Sequence, residues 1–233
     1  MKLTIVIPAY NEAKTLAEVV GRVRAVDLEG IDREILIVDD GSTDGTAEVA
    51  ARLEGADLRL IRMAKNSGKG AALRRGFEAA TGDLIIVQDA DLEYDPGEYP
   101  KLLAPLRSGA ADVVYGSRIV GENAKSYLVY YWGGRALTLV FNLLYGGRLT
   151  DLTTCYKAFR REDALGLGLE SDGFEFCEEI TAKLLLRGLR IVEVPISYSP
   201  RSFEAGKKIG WKDGFMALWT MFRLRFARRA RTS

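Results

Sequence analysis

The strongest constraint in this sequence is the alternation, over its first half, of short apolar runs with segments of helical periodicity. The apolar runs are rich in β-branched residues, which is typical of strands buried on both faces. They cover Leu3–Ile7, Ile35–Val38, Leu58–Met63, Leu84–Val87 and Val113–Tyr115. Strands that alternate with helices predict an α/β fold with a mostly parallel sheet and helices on both faces.

The intervening segments have the spacing of helices that bury one face. Between the first two apolar runs, residues 16, 19, 20, 23 and 26 are all leucine or valine and recur at helical spacing. Further helices are predicted at Thr46–Leu53, Ala71–Ala80 and Tyr99–Leu106. With 233 residues, the chain is long enough for one α/β domain with a full core.

The second half contains two aromatic segments. Residues Tyr127–Tyr145 are apolar but interrupted by Gly133, Gly134 and Arg135, so neither fragment approaches the ~20 residues of a membrane-spanning helix. Residues Trp211–Phe226 carry aromatic side chains at near-helical spacing, and five arginines with no acidic residue lie within 223–233. This pattern predicts amphipathic helices in a lipid interface. We therefore expect a main domain over 1–210, which includes the amphipathic segment 127–145, and a basic amphipathic helix over 211–233 without a transmembrane span.

Composition excludes several classes of function. The net charge of +1 argues against nucleic acid as a partner. The chain has no histidine, which excludes imidazole bases, histidine metal ligands and a Ser-His-Asp triad. Its two cysteines have no CxxC spacing, which excludes a zinc ribbon and fits a reducing compartment.

Three polar segments follow predicted strands: residues 8–12, 39–45 and 89–93. Ligands of open parallel sheets bind beyond the carboxyl ends of the strands, so we expect these segments at one edge. Along an extended segment, alternate side chains point to the same side, which would bring Asp89, Asp91 and Glu93 together. Oxygen ligands of this kind favour Mg²⁺ or Mn²⁺ shared with substrate phosphates. The alternative is a solvated acidic loop.

The other polar candidates each have a structural alternative. Residues 39–45 could form a simple turn in which Asp44 begins the next helix. Residues 66–70 resemble a phosphate loop but lack the Walker A pattern, so Lys69 either meets an anion or belongs to a turn. Cations that could contact phosphate are Arg118, Arg201, Lys207 and Lys208, and each alone is equally explained as a surface charge. Glu178 and Glu179 lie in the first turn of a predicted helix, where the helix dipole favours acids.

The motifs IVIPAYNE, VDDGSTDGT and DAD, in this order and spacing, resemble the family 2 glycosyltransferases of the GT-A fold. Within that family the sequence is most similar to the polyprenyl-phosphate glycosyltransferases, which include dolichyl-phosphate mannose synthase. GSR ending at Arg118, DLTTCYKAFRRE from Asp151, FEFCEEI from Phe174 and VEVPISY from Val192 extend the resemblance over about residues 1–210.

The resemblance implies roles for individual residues. The nucleoside would be bound by Pro8, Tyr10, Glu12, Val38 and Asp40. Asp89 and Ala90 would lie against the ribose and phosphates, and Asp91 would hold the metal with help from Glu93. The donor diphosphate or acceptor phosphate would meet Arg118, Arg201 and Lys207 or Lys208. Three departures from the mannose synthases, at Glu93, at residues 69–72 and in the spacing of the 201–208 loop, leave guanine versus uracil and mannose versus glucose open.

The expected reaction is the inverting transfer of a hexose from GDP-mannose or UDP-glucose to a polyprenyl or dolichyl phosphate, with Asp91, Arg118 and Arg201 at the reacting centre. We expect it at the cytoplasmic face of a membrane or in the cytoplasm. An alternative acceptor is a sugar or protein hydroxyl, which would need Glu178 or Glu179 as general base. A catalytically silent nucleotide-sugar binding module is a further alternative. A sugar-1-phosphate nucleotidyltransferase is disfavoured because residues 8–12 lack its glycine-rich signature.

Overall fold

The computed structural model of the chain describes residues 1–121, 123, 128–200 and 210–227. A seven-stranded sheet forms its centre. The strands are β1 (Lys2–Ala9), β2 (Asp32–Asp39), β3 (Leu58–Arg62), β4 (Leu84–Val87), β5 (Val113–Ser117), β6 (Lys157–Arg160) and β7 (Ile191–Pro195). Their order across the sheet is β3-β2-β1-β4-β6-β5-β7.

Strand β6 is antiparallel to both of its neighbours, β4 and β5, whereas the other strand pairings are parallel. In the β4–β6 pair, Leu84 lies opposite Arg160 and Ile86 lies opposite Ala158. Because β6 runs the other way, it begins at the edge where β4 ends. The residues that precede β6 therefore lie at the edge where open α/β sheets bind ligands.

Helices cover both faces of the sheet. They are α1 (Leu16–Ala25), α2 (Thr46–Leu53), α3 (Lys69–Ala79), α4 (Tyr99–Arg107), α5 (Leu128–Tyr145), α6 (Arg161–Gly166), α7 (Phe176–Leu186) and α8 (Trp211–Ala227). Alternate residues of β1 belong to different cores: Ile5 lies in the core that includes residues of α1, α2 and α4, and Val6 lies in the core that includes residues of α3 and α5 to α8. The predicted α/β class, with a mostly parallel sheet covered on both faces, is confirmed.

The second half departs from prediction at α5. The two glycines do not interrupt it, because Leu128–Tyr145 form one helix that contains Gly133 and Gly134. A glycine inside a helix costs only about 1 kcal/mol relative to alanine, and α5 is fixed by packing, with Phe141 fully buried. Tyr127 lies outside the described residues. No helix in the described part of the chain combines the length and apolar character needed to cross a membrane.

Helices α5 and α8 contact each other and expose many apolar side chains. The hydroxyl of Tyr145 donates to the carbonyl of Met221 at 2.8 Å, and the guanidinium of Arg225 lies 5.8 Å from the Tyr145 ring centre. The exposed set, which we name the α5/α8 apolar surface, is Leu128, Trp132, Leu139, Leu143, Trp211, Phe215, Met216, Trp219, Phe222 and Phe226. Large apolar side chains concentrated in this way mark an interaction surface.

Candidate active site

A cavity of about 710 Å³ lies where β1, β2 and β4 end. Helices α5 and α8 also contribute to its wall, among other residues through Tyr131 and Trp211. Most of the residues singled out in the sequence line this cavity: Pro8, Tyr10, Glu12, Asp40, Lys69, Asp89, Ala90, Asp91, Glu93 and Arg118. The structure thus brings the three polar segments together at one edge.

Two other predicted residues, Val38 and Glu179, are described by the structure but do not line the cavity. Val38 is fully buried and packs where Gly76 of α3 approaches the sheet, so its side chain is a core side chain. Its side chain therefore faces the core, and the role of Val38 in nucleoside binding stays a prediction. Glu179 also lies outside the cavity wall, as detailed below. Arg201, Lys207 and Lys208 lie outside the described residues.

The loops after β1 and β2 are joined by hydrogen bonds from short polar side chains. Asn11, at a φ of 54°, accepts from the backbone N–H of Thr43 at 2.9 Å. The carboxylate of Asp44 accepts from the N–H of Ala13 at 3.1 Å and from the N–H of Thr46 at 3.0 Å. Asp44 therefore does more than begin α2, because it also holds the first loop in place.

Asp40 organises the loop before α3. Its two carboxylate oxygens accept from the backbone N–H groups of Ser67 and Gly68, each at 2.8 Å. The side chain is buried, and this burial raises the pKa of the Asp40 carboxyl. A buried acid held by two N–H groups fixes the loop that carries Lys69 into the cavity.

The glycines beside Lys69 permit close contact with another loop of the protein. A Cβ added to Gly70 would overlap the carbonyl oxygen of Ser171. The N–H groups of Gly70 and Ala71 both donate to the carbonyl of Asp172, at 2.6 and 3.2 Å. The first turn of α3 is thus bonded to protein, which favours the turn interpretation of residues 66–70 over a phosphate loop.

The Lys69 ammonium nevertheless enters the cavity. Its Nζ donates to Asp89 at 2.5 Å and to the sulfur of Cys155 at 3.0 Å. Burial acts to lower the pKa of Lys69, but Asp89 and Cys155 together outweigh it, and the pKa rises well above its usual value. Lys69 is therefore a permanent positive charge beside Asp89.

The acidic segment after β4 is not extended. The strand ends at Val87, residues 90–91 form a turn, and Leu92 has a φ of 64°. Within the described residues, no three acidic or thiol side chains are grouped closely enough to hold a metal ion. The predicted three-carboxylate cluster of Asp89, Asp91 and Glu93 is wrong, because the turn separates side chains that an extended strand would align.

Glu93 is bound to the segment after β7 instead. It accepts from the hydroxyl of Tyr198 at 2.7 Å, and its carbonyl accepts from the N–H of Ser199 at 3.0 Å. Asp91 lines the cavity, and its Oδ1 accepts from the N–H of Glu93 at 3.1 Å. Mg²⁺ binds proteins through one or two carboxylates and takes substrate phosphate oxygens as further ligands. Asp91, with Asp89 in the same cavity, fits such a shared site, which needs no third acid.

Arg118 is held rigidly by Asp151. Its Nε and Nη2 each donate to one oxygen of that carboxylate at 2.7 Å, and Nη2 also donates to Thr153 at 2.8 Å. The guanidinium carbon lies 5.2 Å from the ring centre of Tyr198. Burial acts to raise the pKa of Asp151, but Arg118 holds it below the usual value. This arrangement fixes a planar cation on the cavity wall, which suits recognition of phosphate.

Of the two glutamates that begin α7, only Glu178 lines the cavity. It is almost fully buried, and burial raises the pKa of its carboxyl to about 7. Glu179 accepts from the N–H groups of Glu170 and Ser171 and forms an ion pair with Lys183 at 2.6 Å. The prediction of a catalytic Glu179 is therefore corrected: its carboxylate is occupied with the 170–171 loop, and Glu178 is the acid at the cavity.

Some residues of the site had no role in the sequence analysis. Asp151 and Cys155 precede β6, and Tyr198 follows β7. Asp151 and Cys155 do not follow a predicted strand: β6 is antiparallel, so the loop that precedes it lies at the same edge. The DLTTCYKAFRRE and VEVPISY motifs were the available signal for these positions.

Comparison with known proteins decides the family. The sequence profile of glycosyl transferase family 2 matches residues 4–166, which is most of the chain. This chain belongs to glycosyl transferase family 2. The family 2 chain is 33% identical over 231 residues to a dolichol-phosphate mannosyltransferase of Pyrococcus furiosus, with 96% of this chain and 64% of that protein covered. It therefore spans slightly less than two thirds of that relative's length.

A further relative supports the same assignment, and a solved structure supports the fold. An undecaprenyl-phosphate mannosyltransferase of Micrococcus luteus is 32% identical over 223 residues, with 90% of the family 2 chain and 88% of the relative covered. A crystal structure of glucosyl-3-phosphoglycerate synthase from Mycobacterium tuberculosis, in complex with Mn²⁺, UDP-glucose and phosphoglyceric acid, matches with a TM-score of 0.75 at 20% identity, covering 96% of this chain and 79% of that one. The likeness confirms the predicted GT-A type of α/β fold.

Proposed function

We propose that the chain transfers a hexose, mannose or glucose, from a GDP- or UDP-linked donor to a polyprenyl or dolichyl phosphate. The observation that carries this proposal is the cavity itself. It joins the β1 and β2 loops with Asp91 and Arg118, and its wall continues into the two helices that expose the α5/α8 apolar surface. The names of the Pyrococcus furiosus and Micrococcus luteus relatives state the same class of acceptor.

The donor would occupy the side of the cavity formed by the first two loops. Pro8, Tyr10, Glu12 and Asp40 are the candidate nucleoside contacts, with Asp89 and Ala90 against the ribose and phosphates. Lys69 adds a cation beside Asp89. These loops are held by hydrogen bonds within the protein, so the donor would meet a surface that is already formed.

The diphosphate would be held by a divalent cation and by Arg118. Asp91, with Asp89 nearby, would bind Mg²⁺ or Mn²⁺, which would offset the negative charge of the nucleoside diphosphate. The structurally similar synthase was crystallised with Mn²⁺ and UDP-glucose. Arg118 would contact phosphate from a fixed position, and Arg201, Lys207 and Lys208 are further candidates on the segment after Tyr198.

The acceptor phosphate is anionic at neutral pH and needs little help from a base. It would attack the anomeric carbon on the face opposite the leaving diphosphate and so invert the configuration. Arg118 would orient the phosphate groups, and the buried walls of the cavity would exclude water. This chemistry suits a chain without histidine.

We propose further that residues 1–210 form the catalytic unit and that 211–233 act mainly as a membrane-facing helix. Its aromatic side chains, with Trp211 81% and Phe215 65% exposed, would enter the headgroup region. Arginines of residues 223–231 would meet anionic headgroups. The protein would then work at the cytoplasmic face of a membrane.

A second candidate function is transfer to a hydroxyl acceptor. The observation that favours it is Glu178, a cavity acid whose pKa of about 7 is suited to general base catalysis. Glu178→Gln separates the two candidates. A decrease of less than about ten-fold in kcat is expected for a phosphate acceptor, whereas a decrease of about 100-fold or more would indicate a hydroxyl acceptor.

The deciding experiment is a donor screen. Purified protein with Mn²⁺ or Mg²⁺ and a short polyprenyl phosphate is offered GDP-mannose and UDP-glucose in parallel, and release of GDP or UDP is measured. We expect release with one donor, dependent on both the lipid phosphate and the metal. Asp91→Asn should abolish most of the release, and Asp27→Asn, an exposed residue outside the cavity, is the control. A protein that binds a donor but releases nothing with any acceptor would instead be a silent binding module.

A further inference from the structure

The two cysteines of the chain meet at the wall of the cavity. Cys155 precedes β6 and Cys177 lies in the first turn of α7. Both line the cavity, and each thiol shifts the pKa of the other. The sulfur of Cys177 also lies 3.8 Å from the carbonyl of Thr154, the residue next to Cys155. Both thiols are free.

Two lysines surround this pair. Lys69 Nζ lies 3.0 Å from the sulfur of Cys155, and the buried Lys157 begins β6. The adjacent Cys155 thiol, helped by the positive charges of Lys157 and Lys69, holds the pKa of Cys177 below its usual value in spite of burial. The thiolate is the nucleophilic form of cysteine. Cys177 is therefore the first thiol to react, with Cys155 adjacent to it.

We propose that Cys155 and Cys177 are a thiol oxidation site, in which a small peroxide that enters the cavity converts the pair into a reversible disulfide that inactivates the site. The Cys177 thiolate attacks one peroxide oxygen, so that an S–O bond forms, the O–O bond breaks and hydroxide leaves. The Cys155 sulfur then forms the S–S bond, and the oxygen on Cys177 leaves as water with the Cys155 proton. The peroxide is reduced by two electrons and the two thiols are oxidised.

Inactivation follows from the position of the pair. The disulfide turns the Cys155 sulfur that Lys69 contacts from a thiol into a bonded sulfur, and Lys69 is the ion-pair partner of Asp89. It also ties the loop before β6, which carries Asp151, to the first turn of α7, where Glu178 lies. Lys69 and Asp89, on the proposed donor side, are thus disturbed together with the segments that carry Asp151 and Glu178. This second half of the inference rests on the proposed function.

The test uses the full reduced chain. It is treated with hydrogen peroxide, remaining thiols are alkylated, and the intact mass is measured before and after dithiothreitol. We expect loss of two hydrogens, no alkylation, and return of both thiols on reduction. Nucleoside diphosphate release should fall by about ten-fold or more and recover with the thiols. Cys155→Ser and Cys177→Ser are the controls, because neither single variant can lose two hydrogens by closing this bond.

Two results would overturn the inference. Thiols that stay alkylatable, or that pair only between molecules, would show that the site does not form the disulfide. A disulfide that forms fully while activity is unchanged would show that it does not inactivate. If the reduced chain is inactive with every donor, the proposed function fails, and the mass measurement still decides the oxidation site by itself.

Discussion

At the scale of single residues, the contact between Arg118 and Asp151 is the one on which the proposed recognition of phosphate most depends. An arginine that contacts phosphate is useful only where its plane is fixed, and here a buried carboxylate fixes it through two hydrogen bonds of 2.7 Å. Asp151 is itself held, since its N–H donates to Glu193 at 2.8 Å. The cation at the cavity wall is therefore set by residues that need not touch a ligand.

Replacement of Asp151 by asparagine tests this arrangement. The amide has no charge to pair with the guanidinium, so we expect kcat/KM to fall by about 100-fold through misplacement of Arg118. The free energy of unfolding, measured with urea, should fall by about 3 kcal/mol, because the variant leaves a largely buried cation without its anion. The control is Asp172→Asn, which removes a 65% exposed partner of Arg74 and should cost no more than about 1 kcal/mol. Equal effects of the two substitutions would contradict the special role of Asp151.

Glu178 predicts a distinct dependence of stability on pH. Burial raises the pKa of its carboxyl from 4.5 to about 7 in the folded protein. The folded state then binds more protons than the unfolded state between these values, so the stabilising effect is present below pH 4.5 and is lost as the pH rises towards 7. The loss amounts to up to about 3 kcal/mol. Urea unfolding across this window should show a flatter profile for Glu178→Gln.

The neighbouring Glu179 should behave in the opposite way. Burial acts to raise its pKa, but Lys183 and the N–H groups of Ser171 and Glu170 hold the pKa below the usual value. Its stabilising effect is therefore present above the usual pKa and is lost as the pH falls through the lowered one. Glu179→Gln should lower the free energy of unfolding by about 1 to 3 kcal/mol. A Glu179→Gln variant of unchanged stability would contradict the placement of this carboxylate.

At the scale of elements, the close contact between α3 and the 171–172 loop depends on Gly70. Gly70→Ala places a methyl group against the backbone of Ser171, so we expect the free energy of unfolding to fall by about 1 to 3 kcal/mol. The matched control is Gly133→Ala in α5, where an added Cβ meets nothing within 4 Å. That variant should gain up to about 1 kcal/mol from helix propensity. Thermal or urea unfolding distinguishes a loss at one helical glycine from a gain at the other.

How far the sequence predicts these elements depends on whether the information is local. β4 and α2 are observed at the predicted bounds, because apolar periodicity is read within one segment. The antiparallel course of β6 was not predicted, since strand direction is decided by pairing across the sheet. The three-acid cluster failed for a related reason: the positive φ of Leu92 reverses the chain where an extended course was assumed. Glu178 and Glu179 are adjacent in the sequence, and only the direction in which each side chain leaves α7 decides which of them lines the cavity.

At the scale of the whole molecule, the α5/α8 apolar surface predicts attachment to lipid. Each large apolar side chain that enters the interface contributes roughly 1.5 to 3 kcal/mol when fully buried. Trp219→Glu should therefore reduce the fraction of protein that sediments with anionic lipid vesicles by about ten-fold or more. Leu165→Glu is the control, because Leu165 is also exposed but lies on α6. Equal sedimentation of both variants would contradict attachment through α8.

The hydrogen bonds that join Asn11 to Thr43 and Asp44 to Ala13 have a consequence for selectivity between donors. Because the two loops are hydrogen-bonded to each other, a conformational change in one loop to fit a different base would disrupt the hydrogen bonds that hold the other. A change of nucleotide preference by substitution in one loop should need a compensating substitution in its neighbour. Acceptor preference would not be coupled to these loops. It would be set by α5 and α8, which come later in the sequence than the loops after β1 and β2.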